Sequence, residues 1–168
     1  MGLPIYWIEE VAPLAASHWA LGAIGTTRRA GFMMRVGSLG FRFATAIHPS
    51  ARVSSSARLG PGTFVSAGAV VAAQVTFASH VLVNRGALIG HHVNIGAHAT
   101  IGPGANIGGS CRIGEGAYIG MSAVVIDHIS VGAHSVVGAG AVVTREVAER
   151  VMVVGVPAQV VKEIVDGL

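Results

Sequence analysis

Ile89-Gly90-His91-His92-Val93-Asn94-Ile95-Gly96-Ala97-His98-Ala99-Thr100-Ile101-Gly102-Pro103-Gly104-Ala105-Asn106 sets an aliphatic residue at every sixth position, each followed by glycine. Extended in both directions, the register runs from residue 47 to 148. The first place of each block holds Ile47, Val53, Leu59, Val65, Val71, Phe77, Val83, Ile89, Ile95, Ile101, Ile107, Ile113, Ile119, Val125, Val131, Val137 and Val143, 17 of 17 apolar. With 52% apolar residues overall, chance gives such a run with a probability on the order of 10⁻⁵. The fifth place is small or β-branched throughout, from Ala51 to Val147, and glycine fills the second place in 9 of the 17 blocks. A period of six matches neither 3.6 nor 2, so it excludes an amphipathic helix and a hairpin meander. It predicts a solenoid of short strands. The first side chain of each block points inward, and a tight turn follows where glycine permits positive φ.

Composition agrees with thin, regular layers. The 168 residues include 24 glycines but only 5% aromatic and 11% charged side chains. So apolar a chain is not disordered, and no uninterrupted apolar run reaches the roughly 18 residues of a membrane span. Eleven basic residues, ten of them Arg, face eight acidic ones without forming a basic run, which argues against a nucleic-acid partner. Cys111 stands alone, excluding an internal disulfide and fitting a reducing compartment. The first ten residues carry no basic region before an apolar core, so no secretory signal is read and a cytoplasmic location is expected.

Three segments follow. Residues 1–46 read as a partial α/β piece, with strands near Pro4–Trp7, Ala20–Ile24 and Phe41–Ala46, and helices over Glu9–Ala16 and Thr27–Leu39. Thr26 or Thr27 is the natural cap for the second helix. Residues 47–148 form the solenoid. Residues 149–168 close its end, with Val151–Ala158 extended and Gln159–Val165 a short helix. Such a cover is required because an open coil exposes apolar side chains and unpaired backbone groups.

The hexapeptide pattern resembles the left-handed parallel β-helix of the hexapeptide-repeat acyltransferases, with three blocks per triangular coil. At 18 residues per coil the repeat makes about 5.7 coils, roughly 27 Å tall at the usual strand spacing. Ala23-Ile24-Gly25 with Arg28-Arg29 and Gly40-Phe41-Arg42 to Ala51, Val83-Asn84-Arg85 to His92, Gly138-Ala139-Gly140-Ala141-Val142-Val143 and Val154-Gly155-Val156-Pro157-Ala158 are similar to stretches of the sugar acetyltransferases of NeuD/PglD type.

That resemblance implies acetyl transfer from acetyl-CoA to an amine or hydroxyl of a nucleotide-linked sugar, by a homotrimer with sites between neighbouring prisms. It makes His91 the general base, removing the proton of the attacking group. Gly109, 18 residues on, becomes the backbone donor to the acetyl oxygen. Gly120, Met121, Gly138, Ala139, Gly140, Pro157 and Lys162 are implied along coenzyme A, and Asn84 near the base or acceptor. Three departures stand out. His92 occupies the place of the acid that usually orients the base, and Asp127, 36 residues from His91, is too far to replace it. Thr100 stands where the family has a second histidine, leaving His98 as the substitute. A Gly-rich strand-turn-helix with its acid, which holds the nucleotide in relatives, is not found, so a whole catalytic prism lacking the front of its partner domain is expected.

Spacing adds that His80 and His98, 18 apart, stack on adjacent coils, and that no histidine pair is five apart as in the zinc enzymes of related fold; no metal is expected. The competing reading is a non-catalytic trimeric scaffold, or an acyltransferase with a non-sugar acceptor.

Overall fold

In the computed structural model, which describes residues 3–26 and 28–164, each strand of the repeat pairs in parallel with strands 18 residues away. Leu88 and Ile89 lie beside Asn106 and Ile107, Asn94 and Ile95 beside Arg112 and Ile113, Thr100 and Ile101 beside Tyr118 and Ile119. Three sheets of eight, six and five strands form the faces of a triangular prism. This is the left-handed parallel β-helix expected from the period and the resemblance. The faces meet in pairs at three corners.

The core consists of the two inward columns. Val65, Val83, Ile101, Ile119 and Val137 from first places, and Ala69, Ala87, Ala105, Ala117, Ala123 and Ala141 from fifth places, are wholly buried. Small side chains at the inside of each corner let three strands meet without a bulky centre. Each buried Val or Ile contributes about 1.5–3 kcal/mol relative to exposure. Ile47 of the first coil, with no coil beneath it, remains 47% exposed. Thr63 occupies a fifth place, and its buried hydroxyl has no partner among the described residues. Thr63→Val is therefore expected to raise stability by about 1 kcal/mol, because it removes an unpaired buried polar atom at nearly constant volume. The urea midpoint of the two proteins checks this.

Glycine at the second place serves a different purpose from the one expected. Positive φ falls at the fourth place, on Gly62, Gly68, Gly86, Gly104, Gly116 and Gly140, but also on Gln74, His80, His92, His98, Ser110, Ser122, His128 and His134. The second-place glycines are required by close approach of the coil above. A Cβ on Gly90 would lie 2.7 Å from the Gly109 nitrogen, and one on Gly102 2.6 Å from the Ile119 oxygen. Neighbouring backbone, which cannot yield, fills the space.

The ends depart further from expectation. Pro4–Trp7 forms no strand, and residues 9–16 yield only a 3-10 helix, Ala12–Ala16, which Pro13 opens. A two-residue strand, β1 (Trp19–Ala20), replaces the one expected over Ala20–Ile24. It pairs in parallel with β2 (Arg42–Phe43), and the Arg42 guanidinium lies 4.6 Å over the Trp19 ring. Between them runs α1 (Arg29–Ser38). Thr26 accepts a bond from the Arg28 N–H just ahead of the helix instead of capping it, and Thr27 lies outside the described residues. Ala46 already pairs with Phe64 and belongs to the prism.

At the far end the expected helix over Gln159–Val165 is instead a strand, Gln159–Glu163, antiparallel to Val151–Val154; Val165 itself lies outside the described residues. The free edge of the last coil offers unpaired backbone groups, and a β-branched Val160-Val161 segment satisfies them as a strand.

Candidate functional site

The turns carry nearly all the chemistry, because strand residues alternate between core and face. His91 and His92 sit at the corner joining the six- and five-stranded faces, both exposed. Their Nδ1 atoms lie 2.9 Å apart, a contact that needs one donor and one acceptor. With His91 as the donor, its Nε2 keeps the lone pair that a general base requires. His92 thus stands where it holds the orientation of the His91 ring, in the place the resemblance gives to an acid. It supplies no negative charge for an imidazolium.

Gly109 lies on the next coil at the same corner, as the 18-residue spacing predicts. A Cβ there would come within 2.9 Å of His91 Nε2 and Cε1, so the imidazole packs directly on this glycine. The Gly109 N–H, however, donates to Asp127 Oδ1 at 2.7 Å. It is engaged by a carboxylate one coil further on, not directed at an open position.

The residues implied along the cofactor gather at the corner joining the eight- and six-stranded faces. Gly120, Met121, Gly138, Ala139 and Gly140 follow the strands Tyr118–Ile119 and Val136–Val137 there. Pro157 joins them at the closing end, where Ala158 N–H and Gly155 C=O both bond to Val142. Gly140 meets nothing within 4 Å where a Cβ would stand, so the backbone is open there, with the exposed Met121 side chain on the coil below. Lys162 is apart, in the closing strand beside Met152. Asn84 belongs to the same corner and donates to the Ile101 carbonyl at 3.3 Å.

His98 is at the third corner. Its ring stacks on His80 with centroids 5.0 Å apart and planes 7° from parallel, and Phe43 meets His80 edge-on. Within one chain, then, Asn84, His91 and His98 stand at three different corners. The third corner is fastened by Arg29 of α1, which is 1% exposed. Its guanidinium donates to the carbonyls of Thr26, His80, His98 and Ala99 and to the Thr100 hydroxyl, at 2.7–3.0 Å. Every one of these acceptors is neutral. Burial pulls the Arg29 pKa down to about 10, leaving it charged at neutral pH. Thr100 is thereby occupied, which accounts for a threonine at that position.

His80 and His98 are both held below the usual histidine pKa, chiefly by burial. Their Nδ1 atoms are buried without partners among the described residues. Repulsion from Arg29 adds to the shift in both, and Glu115 opposes it in His98. The unfolded chain therefore takes up protons first as the pH falls. Stability is expected to decline once the pH drops through the ordinary value of 6.5, and to go on declining until the folded rings also titrate. Melting curves from pH 7.5 to 5 should show a smaller loss for His98→Gln, a residue type that Gln74 already places in the same backbone conformation. Among the described residues no group of three or more His, Cys, Asp or Glu could hold a metal ion.

Two family models match within the prism, the bacterial transferase hexapeptide (six repeats) over residues 110–145 and the hexapeptide repeat of succinyl-transferase over residues 86–120. Comparison with curated proteins gives no match. Among solved structures, a histidine-to-asparagine variant of perosamine N-acetyltransferase from Caulobacter crescentus, in complex with CoA and GDP-perosamine, is 34% identical. The match covers 91% of this chain and 75% of that one, with a TM-score of 0.87. The acetyltransferase domain of PglB from Neisseria gonorrhoeae, in complex with acetyl coenzyme A, is 35% identical over 89% of this chain and 76% of that one, TM-score 0.84. WeeI from Acinetobacter baumannii is 25% identical over 86% and 74%, TM-score 0.81. The fold and these matches define a transferase of the hexapeptide-repeat class. Within it, the chain belongs to the sugar acetyltransferases.

Proposed function

We propose that this protein moves an acetyl group from acetyl-CoA to an amine or hydroxyl of a nucleotide-linked sugar, with His91 as the general base, in a cytoplasmic homotrimer. The observation that carries the reading is the His91 imidazole, fixed through Nδ1 by His92 and laid with Nε2 against the glycine of the next coil. A base so placed takes the proton of an attacking nitrogen or oxygen as that atom bonds to the acetyl carbon; the thiolate is an adequate leaving group without further activation. CoA and GDP-perosamine in the similar enzyme support the two substrates.

The glycine-rich corner of Gly120 and Gly138–Gly140, open above Gly140, suits a pantetheine chain, which needs close approach to backbone. It stands one face away from His91, and the six-stranded face between them presents Val70 and Leu88 exposed and Val124 and Val142 half-buried, beside exposed Arg52 and Asn106. A second copy packed there would cover this face and bring one prism's glycine-rich corner to its neighbour's His91. That supports a trimer with intersubunit sites, in which Asn84 of one chain and His91 of the next meet. No helix among the described residues is long and apolar enough to cross a membrane, and the buried free thiol of Cys111 supports a reducing compartment.

The test is coenzyme A release from acetyl-CoA with a panel of nucleotide amino sugars, free amino sugars and sialic acid. Turnover with a nucleotide sugar is the expected result, whereas none with any acceptor would leave the prism as a scaffold. A monomer by light scattering would overturn the intersubunit site.

A further inference from the structure

We propose that Asp127 recognises the acceptor by its positive charge, selecting an amine over a hydroxyl at the carbon to be acetylated; this rests on the acetyl-transfer reading above. Of the 17 blocks, only the one beginning at Ile107 has glycine at its third place, the outermost position of the turn. The absence of a side chain at Gly109 opens a slot at the His91 corner. His91 reaches into it from the coil on one side, with Nε2 2.9 Å from the position a Cβ would take. Asp127 reaches in from the coil on the other side, with Oδ1 accepting the Gly109 N–H. A base and a carboxylate therefore meet the same buried glycine from opposite sides. Asp127 itself is exposed and forms no ion pair among the described residues, so its second oxygen is left for a ligand.

The chemistry of the reaction gives such a carboxylate a task. A sugar amine reaches the site largely as an ammonium ion. One proton leaves to His91, and the freed lone pair forms the N–C bond to the acetyl carbon while the C–S bond breaks and its electron pair goes to sulfur. The nitrogen is positive again between bond formation and loss of its second proton. The sulfur ends as a thiol, and one proton is released to solvent overall. A carboxylate a few ångströms away favours the nitrogen in both positive forms. A hydroxyl acceptor carries no charge on arrival and gains nothing comparable.

Asp127→Asn tests the charge alone, because an amide oxygen still accepts the Gly109 N–H and keeps the slot in shape. The acceptors are GDP-perosamine, the matching nucleotide sugar with a hydroxyl in place of the amine, and the neutral N-acetylated product, whose binding is measured by calorimetry in the presence of coenzyme A. The substitution should weaken amine binding and lower its kcat/KM at least tenfold, while product affinity changes less than twofold. The preference for amine over hydroxyl should fall by the same factor. Equal losses for amine and product would make Asp127 merely structural, and no loss for the amine would overturn the proposal outright. A wild-type enzyme that binds the amine but turns over no acceptor would count against the acetyl-transfer reading, whereas the amine-to-product binding ratio of the two proteins would still decide the role of Asp127.

Discussion

His91→Ala should lower kcat by about two to four orders of magnitude, the range expected for loss of a positioned general base, while the KM for acetyl-CoA changes little. The substitution removes the imidazole that packs against Gly109, and the corner proposed for the cofactor lies one face away. His92→Ala should be milder, about tenfold, because it releases the tautomer and orientation of His91 without removing the base. Steady-state coenzyme A release for the three proteins, with circular dichroism to confirm an unchanged prism, makes the comparison. A His91→Ala enzyme within threefold of wild type would remove this histidine from the mechanism.

The second large effect concerns stability. Arg29→Met should cost about 3 kcal/mol, since a fully buried guanidinium gives up five hydrogen bonds and leaves the His80 and His98 carbonyls and the Thr100 hydroxyl without it, while the Ala99 and Thr26 carbonyls keep their backbone donors. The loss should be confined. Hydrogen exchange is expected to speed up in α1 and in the β1–β2 pair, while strands such as Ile101 and Ile119, held by their own coil-to-coil ladder, keep their protection. Arg29→Lys should recover only part of the difference, because an ammonium cannot fork between four carbonyls and a hydroxyl. Uniform acceleration across the prism, or no change in α1, would contradict the role of Arg29 as a local fastening.

The prism was legible because a six-residue period leaves an unmistakable column of aliphatic residues, and the 18-residue coil then placed Gly109 beside His91 and His98 beside His80. Other features were hidden for identifiable reasons. Glycine is demanded either by positive φ or by close approach, and a sequence does not distinguish them; Gly90 and Gly102 belong to the second kind, while histidine and serine tolerate the left-handed turns. Arg29 reads as half of a surface Arg-Arg pair, and nothing local signals that its partners are carbonyls 51 to 70 residues away. Gln159–Glu163 has apolar spacing too short to separate helix from strand, and only the unpaired edge beside it decides. Asp127, 36 residues from His91, lies too far along the prism to orient it, and its neighbour is the glycine on the coil between them.

Arg29 also sets a height. A tower of equal storeys has no inherent mark by which an attached segment finds its level, since each 18-residue floor offers nearly the same wall. By gripping the carbonyls at His80, His98 and Ala99 together with the Thr100 hydroxyl, this one side chain pins the N-terminal segment to the storey that also carries His91. A floor added above that level would leave the attachment undisturbed, whereas one inserted between His80 and His98 would pull its two handholds apart.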